Sequence, residues 1–158
     1  MQDTIYFAGG NECGQYQVTS ARFFSYRYST DTWQRLPNMK YPRGFYHTLA
    51  ADGNSIVVCS GCYDGFNCPG PRHTQYNKCE RYDIASNTWS HMTNLPPPPL
   101  SKEPGFFSMF RANSRLFVSS WEVHVYEDGR WKMVNRDGDI HRYMVKRSTA
   151  VPKDLFNS

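Results

Sequence analysis

The chain has 158 residues, a length that fits one domain, with 39% hydrophobic and 16% aromatic residues. Its core must come largely from rings, and no stretch approaches the ~18 apolar residues of a membrane span, so no membrane partner is expected. The formal net charge is +4, yet residues 1–129 hold 11 basic and 11 acidic side chains against 7 and 3 in residues 130–158, so most of the chain offers no basic face to a nucleic acid.

Ten Pro and eleven Gly fall every few residues, which leaves room only for short elements, and Tyr, Phe and Trp favour pleated surfaces. An all-β fold is predicted. The first strand is Ile5-Tyr-Phe-Ala, closed by Gly9-Gly10, and a long polar loop over 11–21 follows. The next strand runs through Arg22-Phe-Phe-Ser-Tyr-Arg27-Tyr, and a tight turn leads to a third at Trp33. After the linker 37–44 comes a strand beginning near His47, a turn at Asp52-Gly53-Asn54, and the strand Ile56-Val-Val-Cys59 closed by Ser60-Gly61. Loop 62–77 then precedes strands at Tyr82 and Trp89, and the linker 96–105 leads to Phe106-Phe-Ser108-Met-Phe and a turn at Asn113-Ser114. Leu116-Phe-Val-Ser119-Ser120 and the pair Tyr126 and Trp131, joined by Asp128-Gly129, complete the series. A further strand is expected over 140–145, inside a basic C-terminal segment 135–158.

These elements repeat. Tyr26-Arg-Tyr-Ser-Thr-Asp-Thr-Trp33 matches Tyr82-Asp-Ile-Ala-Ser-Asn-Thr-Trp89 at an offset of 56, and Tyr126 to Trp131 is a shorter copy, its Trp 42 residues further on. Each unit reads as a four-stranded antiparallel meander that cannot bury both faces alone, and stacking such sheets around an axis solves that problem. Trp33 and Trp89 are therefore expected to be buried at equivalent places between neighbouring sheets.

With a strand ending in Gly9-Gly10, then Tyr26, Trp33 and Arg43, the pattern resembles the kelch repeat family. The second copy keeps Gly61, Tyr82 and Trp89 with Ser60 in the first Gly position, and the third has Ser119-Ser120 in place of both. The resemblance covers roughly residues 4–134 and implies kelch-type β-propeller blades, about two to three of them in an incomplete propeller. The sequence starts at a blade's second strand and is too short to close a ring, so a fragment with open sheet edges that self-associates is expected.

Catalytic spacings are missing: the sequence has no G-x-S-x-G, H-E-x-x-H, G-x-x-x-x-G-K-[ST] or G-x-G-x-x-G. His47 reads as a strand residue, since Ser108 stands in its place in the parallel copy. Cys59-x-x-Cys62 has the spacing of a zinc half-site, but Cys68 and Cys79 are ten residues apart between them, so no metal or other cofactor is expected; a disulfide such as Cys62 with Cys68 is an alternative in an oxidising compartment. Five Cys, an odd number, and no N-glycosylation sequon favour the cytoplasm.

The loops remain. Loops 11–21 and 62–77 and linkers 37–44 and 96–105 should emerge at one end of the sheets, because connections in an up-and-down blade alternate between ends. They offer Tyr16, Arg43, Tyr63, Arg72 and His73, types favoured as anchors for a protein or peptide. Arg43 also matches the family's repeat Arg, which gives it a competing structural role. The kelch resemblance implies a non-catalytic protein-binding module, and the substrate-recognition part of a ubiquitin-ligase adaptor if the chain belongs to something longer. The alternative it leaves is a fragment of a propeller enzyme of the galactose-oxidase-like class.

Overall fold

The computed structural model describes residues 3–12, 18–44, 46–61, 77–97, 107–120 and 122–134. All regular structure there is β, as the aromatic and turn-rich sequence predicts. The strands are β1 (Thr4–Ala8), β2 (Asn11–Glu12), β3 (Val18–Thr19), β4 (Phe23–Arg27), β5 (Thr32–Leu36), β6 (His47–Asp52) and β7 (Ser55–Ser60). They continue as β8 (Cys79–Asp83), β9 (Thr88–Met92), β10 (Ser108–Ala112), β11 (Arg115–Ser119), β12 (Val123–Glu127) and β13 (Arg130–Met133).

Three antiparallel sheets follow one another along the chain: β1-β4-β5, β6-β7-β8-β9 and β10-β11-β12-β13. They are blade-like and do not close into a ring. The first sheet has three strands because its β1 corresponds to β7 and β11, the second strands of the other two. A small ribbon, β2 with β3, projects from within the first long loop, where the sequence reading placed only loop.

Register makes the repeat physical. Ile5 faces Tyr26, which faces Trp33; Ile56 faces Tyr82, which faces Trp89; Leu116 faces Tyr126, which faces Trp131. In each sheet the directly opposed Tyr and Trp rings touch, with centroids 4.8, 5.3 and 5.1 Å apart. The longer turns are closed by the Tyr itself, whose hydroxyl donates to the residue five positions on, Tyr26 to Asp31 at 2.8 Å and Tyr82 to Asn87 at 2.6 Å. Asp31 and Asn87 both take left-handed backbone, which Asp and Asn tolerate better than most side chains.

Two cores lie between the sheets. One joins Ala8, Phe23 and Met39 of the first unit to Ile56, Val58 and Tyr82 of the middle sheet. The other joins Val57, Cys59, Cys79, Met92 and Leu95 of the middle unit to Met109, Leu116, Val118 and Trp131 of the third. β7, apolar at Ile56, Val57 and Val58 and buried along its length, serves both, one parity facing each neighbour. The tryptophans tie the seams. Trp89 Nε1 donates to the Pro37 carbonyl at 2.8 Å and Trp131 Nε1 to the Thr93 carbonyl at 3.0 Å. Pro37 and Thr93 each lie four residues after the Trp of the preceding sheet.

Trp33 departs from expectation. Trp131 is buried and Trp89 half-buried, but Trp33 is 59% exposed. Each Trp is covered by the sheet that precedes its own, and the first sheet has no described sheet before it. Equal motifs therefore do not give equal burial.

Cys59 and Cys79 form a disulfide across β7 and β8, where they are directly paired, and both are fully buried. Cys59 is thus no zinc half-site ligand, and the bond is not the Cys62 to Cys68 alternative, which lies outside the described residues, as does the strand expected over 140–145. Among the described residues no group of three or more His, Cys, Asp or Glu is placed to hold a metal, and no helix is long and apolar enough to cross a membrane.

Candidate functional site

The bases of all four long connections meet at one end of the sheets. In the first unit Gly9 N donates to the Arg22 carbonyl and Met39 N to the Ala21 carbonyl, both at 2.9 Å. In the second, Ser60 N donates to the Lys78 carbonyl at 2.9 Å and Leu95 N to the Asn77 carbonyl at 2.8 Å. The acceptors 21 and 22 are shifted by 56 to 77 and 78, the Trp offset again. Each long loop is thereby pinned to the linker of its own sheet, and Asn77 adds a side-chain bond to the Leu95 carbonyl at 3.2 Å.

Arg43 joins the two units. Its backbone N donates to the Ser20 carbonyl at 2.9 Å and its own carbonyl accepts from Gly10 N at 2.7 Å, which fixes linker 37–44 against loop 11–21. Its side chain enters the middle sheet and is 1% exposed. Nη2 lies 2.9 Å from Glu80 Oε1, and Nη1 donates to the Lys78 carbonyl at 3.0 Å and to the Ser60 carbonyl. Glu80, equally buried, also accepts from Lys40 N at 2.8 Å. Burial lowers the Arg43 pKa, and the charge and hydrogen bond of Glu80 oppose that shift.

This geometry explains the glycine pair. A Cβ on Gly9 would sit 2.3 Å from the Arg43 carbonyl oxygen, and one on Gly61 would sit 3.1 Å from the Arg43 Cβ. Gly9 and Gly61 thus make room for the linker Arg, whereas a Cβ on Gly10 would meet nothing and that position needs glycine for its left-handed backbone, φ 102°.

Of the residues expected on the rim, Arg43 is therefore corrected. Its charge is spent inside the fold, in the structural role the repeat allowed, and in this arrangement it presents nothing to a partner. Tyr16, Tyr63, Arg72 and His73 lie outside the described residues. His47 opens β6, as read, with Nδ1 2.9 Å from the Gly44 carbonyl. Glu80 was missed because a lone acidic residue in a predicted strand reads as outward-facing. Its row supplies the only signal, since Glu80 pairs with Val58, an apolar position.

A second charged cluster ties the opposite end. Asp52, the last residue of β6, holds Arg81 at 2.9 Å and Arg111 of the third sheet at 3.4 Å. Four residues back along β6, Met109 N donates to Thr48 Oγ1 at 2.8 Å across the same seam.

Compared with family models, residues 43–96 match the kelch motif. The match runs from the buried Arg43 through the whole middle sheet to the linker after β9, with the Gly61, Tyr82 and Trp89 that carry the resemblance. Comparison with curated proteins finds no match. A kelch motif supports a β-propeller-type protein–protein interaction module.

Proposed function

We propose, from the premise that this is a kelch-repeat chain, that it is a non-catalytic module binding a protein or peptide at the rim carried by 11–21, 37–44, 62–77 and 96–105. The observation that carries this reading is the network at the base of that rim. Arg43, Glu80 and the paired backbone bonds gather four connections onto a rigid sheet end, which is how long loops are held for recognition. Tyr16, Tyr63, Arg72 and His73 are the side chains proposed to meet the partner, Arg72 through a bidentate fork that Lys cannot supply. In a longer chain carrying a ligase-recruiting domain, the captured protein would be the substrate for ubiquitination.

A cytoplasmic location goes with this reading. Alkylation of unreduced cell extract tests it, because Cys59 and Cys79 would be found as thiols in a reducing compartment and as a disulfide in an oxidising one.

The rim itself is tested by affinity capture with matched variants. Arg72→Ala and Tyr63→Ala should keep the melting temperature nearly unchanged and lose the specific partner, while Asn54→Ala and Ser114→Asn at the opposite turns keep it. The reverse pattern would place binding at the other end of the sheets.

A further inference from the structure

The outward face of the first sheet is bare where its two counterparts are covered. Ile5, Phe7 and Trp33 are 48%, 43% and 59% exposed, and the Phe7 and Tyr26 rings meet Trp33 at 5.0 and 4.8 Å on the same sheet. In register, Ile5, Tyr26 and Trp33 correspond to Ile56, Tyr82 and Trp89 and to Leu116, Tyr126 and Trp131; Phe7 corresponds to Val58 and Val118. Both counterparts are seated against the preceding sheet, and each Trp donates to a carbonyl there. The chain itself thus shows, twice, what covers such a face: the forward face of another sheet.

The third sheet has a forward face of the required kind. The row that turns Val57 of the middle sheet toward the third is occupied in the third by Phe117, with Phe110 and Val125 on either side. The Phe110 and Phe117 rings stack at 5.5 Å, 10° from parallel, and both are half-buried.

We propose that a second copy of this chain seats the Phe110 and Phe117 face of its third sheet on the Trp33 face of the first, continuing the seam geometry of the two seams already present. The two surfaces differ, so the contact is head-to-tail, and made in both directions it closes two chains into one ring. The three described blade-like sheets of each chain give six, within the ~4–8 blades of closed propellers. Self-association then runs through apolar faces, which remove ring surface from water, rather than through pairing of open strand edges.

The test is sedimentation of the 158-residue chain over a hundredfold concentration range, with two variants. The expected species are monomer and dimer only. Trp33→Arg and Phe117→Arg should each weaken dimerisation by at least ~tenfold, because each damages both seams of the ring. Mixing the two should restore a dimer, since one seam then joins an intact Trp33 face to an intact Phe117 face. A chain that stays monomeric, that grows past the dimer, or whose variants do not rescue one another overturns the proposal. Melting temperatures show that the variants fold, and Phe110→Arg replaces Phe117→Arg if the latter does not.

Discussion

His47 lies at the start of β6 with its ring packed beside the Gly44 carbonyl, and His124 lies buried in β12 near Glu122, 3.7 Å away. Burial lowers both pKa values; at His47 the hydrogen bond to the Gly44 carbonyl opposes the shift and the Arg43 charge adds to it, while Glu122 opposes it at His124. Both rings therefore favour the neutral form more strongly in the fold than in the unfolded chain. Unfolded histidine titrates near ~6.5, so below that pH the unfolded chain takes up protons that the native chain refuses. Their contribution is complete above the unfolded value and is lost as pH falls from there toward the depressed native values. The melting temperature should be lower at pH 5.5 than at pH 7.5, a window above ordinary carboxylate titration. His47→Gln, whose amide can still donate to the Gly44 carbonyl, should shrink that difference, and the double variant with His124→Gln should shrink it further. An unchanged difference in both variants would show that other groups set the pH response. Ser60 shows a different residue-scale compromise. It takes the left-handed backbone of Gly9, φ 67° against 69°, and its buried hydroxyl has no hydrogen-bond partner among the described residues. The departure from Gly-Gly visible in the sequence is thus real strain, accepted beside a network that needs the Ser60 carbonyl.

The linker between the first two sheets behaves as an element in its own right because Arg43 and Glu80 organise it. An isolated buried ion pair can often be replaced by apolar residues at little cost. Here that exchange should fail. Arg43 satisfies the Ser60 carbonyl and Glu80 satisfies Lys40 N, so an apolar pair would leave those two backbone groups orphaned, while the Lys78 carbonyl keeps its bond from Ser60 N. Glu80→Ala should cost about 3–5 kcal/mol by stranding the guanidinium, and Arg43→Met with Glu80→Leu should recover little of it. Urea unfolding measures both, and near-wild-type stability of the double variant would reduce the network to a replaceable pair. The sequence exposed half of this element. Arg43 stood at a repeat position with glycines spaced to receive it, whereas Glu80 is 37 residues away and carries no repeat signature, since Phe24 and His124 occupy its place in the other sheets. The disulfide was closer to legible. Once Ile56 is set against Tyr82, three steps along each strand bring Cys59 opposite Cys79; attention to local Cys-x-x-Cys spacing hid a pairing that only register reveals.

At the scale of the whole molecule, the strand order, the turns and the Tyr–Trp pairs were legible because they depend on neighbours within one sheet. Burial was not, because it depends on which sheet stands before each Trp, and the same eight-residue motif is covered at Trp89 and bare at Trp33. That asymmetry makes an ordered prediction for truncation to Ala in dilute solution, where contacts between chains do not contribute. Trp131, buried in the second core with its indole bonded to the Thr93 carbonyl, should cost about 3–5 kcal/mol. Trp89, half-buried against Phe23 at 4.9 Å and bonded to the Pro37 carbonyl, should cost somewhat less, about 2–4 kcal/mol. Trp33 touches Phe7 and Tyr26 on an open face and should cost less than about 1 kcal/mol. Denaturant titration of the three variants below the concentration of self-association reads the order directly. If Trp33→Ala proves as damaging there as Trp131→Ala, then its face is covered within a single chain, and the coverage of each sheet by the one before it is not what stabilises these tryptophans.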